Sequence, residues 1–95
     1  MRNRTQQKER EKIMITNVYS IRDSLAEIYN KPFTEINNAT AIRAFSQSMQ
    51  QTKNKEDYVL YHIGTFDDNA GSFTVNDPVK IFSGSEVTQE ETTHA

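Results

Sequence analysis

Cysteine is absent from this chain, there are only two prolines and three glycines, and no apolar run approaches the roughly 18 residues needed to cross a bilayer. Without cysteine there are no disulfides, and no metal-ligand spacing replaces them with a structural zinc site. Stability then rests on packing or self-association, so a homodimer is expected. The basic N-terminus leads into mixed polar strand sequence and not into the apolar region of a signal peptide, so the expectation is an unsecreted protein with no membrane segment. Catalytic inventory is also thin. His62 stands alone in a strand and His94 in a tail, and no serine carries a nucleophile motif. Asp67 and Asp68 cannot be assigned as an acid/base couple from spacing alone. No enzyme activity, cofactor or metal is expected. Asp67-x-Asn69-x-Gly71 has the start of a calcium loop, yet Pro78 stands where a later liganding Glu belongs, and a hairpin turn is the better reading.

What is present organises around Asn37 to Gln51. Ala41, Ile42, Phe45 and Met49 recur there at three- and four-residue steps, which predicts a helix with one face to bury. Asn37 or Asn38 suits the N-cap, and Thr52-Lys53-Asn54-Lys55 supplies a polar stop. Ile13 to Arg22 alternates like a strand, with Ile15, Tyr19 and Ile21 on one side and Thr16, Val18 and Ser20 on the other. Asp23-Ser24 reads as a turn into a less regular return segment, Leu25 to Ile36, where Pro32 confines the chain to an edge, bulge or bend. Tyr58 to Phe66 is the second clear strand, with Tyr58, Leu60 and Phe66 on one face and Val59, Tyr61 and Ile63 on the other. Gly71 closes a hairpin into Ser72 to Val75, Asn76-Asp77-Pro78 breaks that strand, and Val79 to Phe82 adds a last edge. The expected fold is α+β, a small mainly antiparallel sheet of four to five strands with one α-helix packed on one face, in the order β-β-α-β-β.

Charge divides the 95 residues into three. Residues 1–12 hold no apolar side chain after Met1 and carry a local +3, which predicts a disordered basic arm. Residues 13–82 form the α+β domain, and residues 83–95, with a local −3, read as a disordered acidic tail.

Val18-Tyr19-Ser20-Ile21-Arg22-Asp23, Asn30-Lys31-Pro32-Phe33, Ala41-Ile42-Arg43-Ala44-Phe45 and Asp57-Tyr58-Val59-Leu60-Tyr61-His62-Ile63-Gly64-Thr65-Phe66-Asp67, followed by Gly71, occur in this order and spacing. Together they resemble the small non-structural protein of gokushovirus-type microviruses, phages with single-stranded DNA genomes. The resemblance covers roughly Met14 to Val75, and residues 1–13 depart from its pattern. It implies a non-enzymatic accessory role in viral DNA replication, assisting synthesis or packaging of single-stranded genomes in the cytoplasm of a bacterial host.

A protein that handles single-stranded DNA needs cations for phosphates and exposed rings for bases. The candidates are Arg2, Arg4, Lys8, Arg10 and Lys12 in the arm, with Arg22, Lys31, Arg43, Tyr58 and Tyr61 in the domain. The same aromatics serve equally as core or dimer interface, and an acidic pI of about 5.6 works against the nucleic-acid reading. Arg43 has a second use as a structural ion pair on the helix flank. The alternative function is a non-catalytic interaction module that docks on a viral or host replication protein without touching DNA.

Overall fold

The computed structural model describes residues 14–88. The expected basic arm, residues 1–12, lies outside them, as does the chain from residue 89 onward. The elements are β1 (Ile15–Asp23), β2 (Ile28–Tyr29), β3 (Phe33–Glu35), α1 (Asn38–Met49), β4 (Tyr58–Asp67) and β5 (Ser72–Ser83). Short 3-10 turns occupy Lys55–Asp57 and Gly84–Glu86. The five strands form one antiparallel sheet in the order β2-β1-β4-β5, with β3 also paired to β1. This is the expected α+β arrangement.

Helix α1 starts where the sequence places it. The Asn37 side chain accepts from the Thr40 amide at 3.0 Å, and the Thr40 hydroxyl accepts from the Asn37 amide at 3.3 Å, so two otherwise orphaned donors are satisfied. Ala41, Phe45 and Met49 are the buried stripe, and they meet Tyr19, Leu60 and Val87 in the core. Phe45 stands edge-on to Phe82, with ring centroids 6.4 Å apart.

Two hairpins are closed by the same device. The Asp23 carboxylate accepts from the amides of Leu25 and Ala26, and the Asp67 carboxylate from those of Asn69 and Ala70. Each turn ends on a left-handed residue, Glu27 at φ 63° and Gly71 at φ 69°. The return segment is less regular, as Pro32 predicts: it splits into β2 and β3, which share one edge of β1.

Three sequence expectations need correction. Asn76-Asp77-Pro78 does not end a strand; it bulges out of β5, between pairs His62↔Val79 and Gly64↔Val75, and the strand continues on β4 to Ser83. Phe66 does not share a face with Leu60. Ile63 is an extra residue between the pairs Tyr19↔His62 and Val18↔Gly64, so side-chain parity inverts beyond it. The packed chain also runs on past Phe82, since Val87 is buried in the core.

Tyr19 lies at the centre of that core, its ring edge-to-face with His62 at 5.3 Å and its hydroxyl donating to Asn38 Oδ1 at 2.6 Å. Burial pushes its phenol above the ordinary value of 10.0, and the Glu35 carboxylate adds to the shift. The unfolded chain therefore releases this proton first. Stability contributed by Tyr19 is complete below pH 10.0 and drains away as pH rises past it. Urea midpoints measured against pH should hold up to that point and then fall, and Tyr19→Phe should flatten the fall. An equally steep alkaline loss in Tyr19→Phe would remove Tyr19 as its source.

Candidate nucleic-acid interface

Because α1 covers one side of the sheet, the other side is open. Strand pairing identifies what stands on it, since residues directly opposite across an antiparallel pair project to the same face. Ile21, Leu60 and Phe82 are paired in a row and face the helix. The neighbouring rows therefore face away: Arg22 is paired with both Tyr29 and Val59, and Tyr61 with both Ser20 and Lys80.

These side chains make contact. The Arg22 guanidinium lies 5.5 Å from the centre of the Tyr29 ring, a cation–π distance, and Tyr29 meets Tyr61 edge-on at 5.6 Å. Tyr29 and Lys80 are exposed, while Arg22 and Tyr61 are half-buried. Beneath them the Ser20 hydroxyl donates to the carbonyl of Asn30 at 2.7 Å, which ties the β2–β3 edge down beside the cluster. Charge is sorted across the sheet as well. Among paired strand positions, the cations Arg22 and Lys80 stand on the open side, whereas Asp23, Glu35 and Asp67 share rows with Tyr58, Asn17 and Ile15 on the helix side. Asp77 sits in the unpaired bulge.

Of the residues singled out from sequence, Arg22 and Tyr61 come together here. Lys31 is exposed between β2 and β3, next to Pro32 on the rim of the same face. Arg43 is exposed on α1, across the sheet from this cluster. Tyr58 does not join it: three residues from Tyr61, it points to the opposite face and packs half-buried against the core. Arg2, Arg4, Lys8, Arg10 and Lys12 lie outside the described residues. Tyr29 and Lys80 are the members that the sequence reading left out of the site. The signal for Tyr29 was the Asp23 turn, whose length fixes which residue of β2 faces Arg22.

Further along the same face the chemistry becomes mainly apolar, with Thr16 and Thr34 the polar members of the paired rows. Val18, Pro32, Ile63, Gly64, Phe73 and Val75 line a depression of about 240 Å³ that crosses the sheet. Gly64 forms its floor because a side chain there would collide with the Thr74 carbonyl. Phe66 and Phe73 extend the apolar surface toward the hairpin tip, rings 4.9 Å apart.

Other chemistry is sparse. Among the described residues no three or more His, Cys, Asp or Glu side chains are grouped to hold a metal ion. His62 is engaged by Asn17, Nε2 to Oδ1 at 2.9 Å, and by the Tyr19 ring. No helix among them is long and apolar enough to cross a membrane. No curated protein and no solved structure matches the chain. The family described as Phage ORF5 protein matches residues 16–87, from the first strand to the buried Val87, and the chain belongs to that phage protein family.

Proposed function

We propose that this phage protein is a non-catalytic accessory of viral DNA replication that binds single-stranded DNA on the open face of its sheet. Unpaired bases lie against Tyr29 and Tyr61, and Arg22 and Lys80 take the phosphates. The observation that carries the reading is the arginine–tyrosine–tyrosine contact chain, with Lys80 in the same row as Tyr61, on a side from which the paired carboxylates are excluded. Stacking of this kind needs no base-edge readout, so little sequence preference is expected. Duplex is the poorer ligand, because the helix that would enter a groove buries Phe45 and Met49 against the sheet. The motif series from Val18 to Gly71 favours a phage of the gokushovirus-type microviruses, with the host cytoplasm as the place of action and assistance to single-stranded genome synthesis or packaging as the role.

The test is an anisotropy titration of a labelled single-stranded oligonucleotide with the full chain at two salt concentrations. Modest affinity that weakens steeply with added salt is expected. Tyr61→Ala should weaken binding about tenfold, one stacked base being worth roughly 1–3 kcal/mol. Tight, salt-insensitive duplex binding would sink the reading. Absence of binding to either form at low salt would transfer the role to docking on a viral or host replication protein.

A further inference from the structure

The apolar half of the open face is poorly equipped for phosphate contact, for no charged side chain stands at its paired positions: Val18, Gly64, Phe66, Phe73 and Val75 occupy it with Thr16 and Thr34, and Ile63 bulges beside them. Phe73 is 64% exposed and Val75 81% exposed. No helix backs this end of the sheet, because the residues that α1 touches are those around Tyr19, Leu60 and Phe82. The reverse of the sheet here presents Asn17, Thr65, Thr74, Asp67 and Ser72, with Ile15 the apolar exception. This end of a single-layer sheet thus holds Phe73 and Val75 uncovered above a partly shielded apolar floor, a condition that folded domains relieve by packing a second layer on it.

What supplies the layer is narrowed by the chain itself. Residues 1–13 and 89–95 contain Met1, Ile13 and Ala95 as their only apolar residues, too few for these two segments to cover it. A foreign peptide added as an extra strand is disfavoured at both edges. The chain's two prolines, Pro32 and Pro78, stand one on each edge of the sheet, at the β2–β3 break and in the β5 bulge, where each removes an amide and breaks the pairing line. A face-to-face layer remains. The surface also suits a second copy of itself, since two projecting side chains, Phe73 and Val75, form one wall of a groove of about 240 Å³.

We propose that this apolar half is the interface of a two-fold symmetric dimer, in which Phe73 and Val75 of one protomer seat in the groove over Gly64 of a second copy. Two-fold symmetry requires that knob and hole lie on one patch, and here they do. The two inner faces then pack as the layers of a sandwich, about 10 Å apart. The Arg22–Tyr29–Tyr61 cluster lies at the other end of the face, outside the overlap. The interface stands whether or not that cluster binds DNA.

Sedimentation equilibrium of the full chain at micromolar concentration tests it. A dimer is expected, unweakened by 1 M salt on the order of which charge pairs are screened out. Val75→Asp, at a position too exposed to disturb the protomer core, should raise the dissociation constant by about 100-fold or more, because two valines leave a buried site. Leu25→Asp, equally exposed but in the β1–β2 turn, should leave it unchanged. If Val75→Asp does not fold, judged by circular dichroism, Val75→Thr keeps the shape and should still weaken the dimer about tenfold. A monomeric wild type, or a dimer that Leu25→Asp splits as readily as Val75→Asp, overturns the proposal. A monomer whose oligonucleotide binding is lost in Val75→Asp overturns it too, and assigns the groove to DNA.

Discussion

Phe45→Ala should lower the free energy of unfolding by about 3–5 kcal/mol, as expected for a large aromatic removed from a core that cannot collapse onto the space. Phe45 is 0% exposed and is the side chain through which α1 reaches Phe82 across the sheet. Such a loss is comparable to the lower end of a typical stability of about 5–15 kcal/mol, so the variant should melt well below the wild-type melting temperature. Urea denaturation followed by far-ultraviolet circular dichroism measures it. Protein concentration must be equal in both samples, because self-association adds to apparent stability. A loss below about 1 kcal/mol would mean that the helix is not seated on Phe45.

Gly84→Ala should cost about 3 kcal/mol or more, although it adds one methyl group. The new Cβ would overlap the carbonyl oxygen of Lys55 and come within 3.1 Å of the Tyr58 carbonyl oxygen. Both are backbone atoms, so neither can swing aside as a side chain would. Gly84 lets the Gly84–Glu86 turn cross directly over the Lys55–Asp57 turn. That crossing delivers Val87 to the core and sets its carbonyl to accept from Lys55 Nζ at 2.7 Å. The diagnostic comparison is with Val87→Ala, which deletes the packing and leaves the crossing intact. Should Gly84→Ala prove the milder of the two in the same urea assay, the crossing has room to spare and this account of Gly84 is wrong.

Elements with their own period were legible in the sequence. Helix α1, its buried Ala41, Phe45 and Met49, and strands β1 and β4 all follow from spacing alone. What escaped depends on register. The extra residue Ile63 carries Phe66 to the face opposite Leu60, and the bulge at Asn76–Pro78 joins two apparent strands into one. Val87 escaped because one apolar residue among serine, glutamate and threonine has no period to betray it. The site was visible as residue types but not as an arrangement. Arg22 and Tyr61 could be named from chemistry, whereas their contact with Tyr29 depends on a hairpin register that the irregular return segment obscures. Tyr58 and Tyr61 were legible as occupants of opposite faces, and the structure keeps them so, with Tyr58 against the core.

Among the paired strand positions, then, the sheet separates charge, with the cations on the tyrosine side. The shortest extent of the molecule is 18 Å. At physiological ionic strength the Debye length in solvent is about 8 Å, so a polyanion held on the open side would feel Arg22 and Lys80 more strongly than Asp23, Glu35 and Asp67 on the far side. The formal charge of −2 is thus a poor guide to what a polyanion would meet on that face, where Arg22 and Lys80 stand nearest. In about 0.01 M salt the screening length reaches about 30 Å and the rear carboxylates are felt as well. Dilution would therefore strengthen the encounter by less once the screening length outgrows the thickness of the protein.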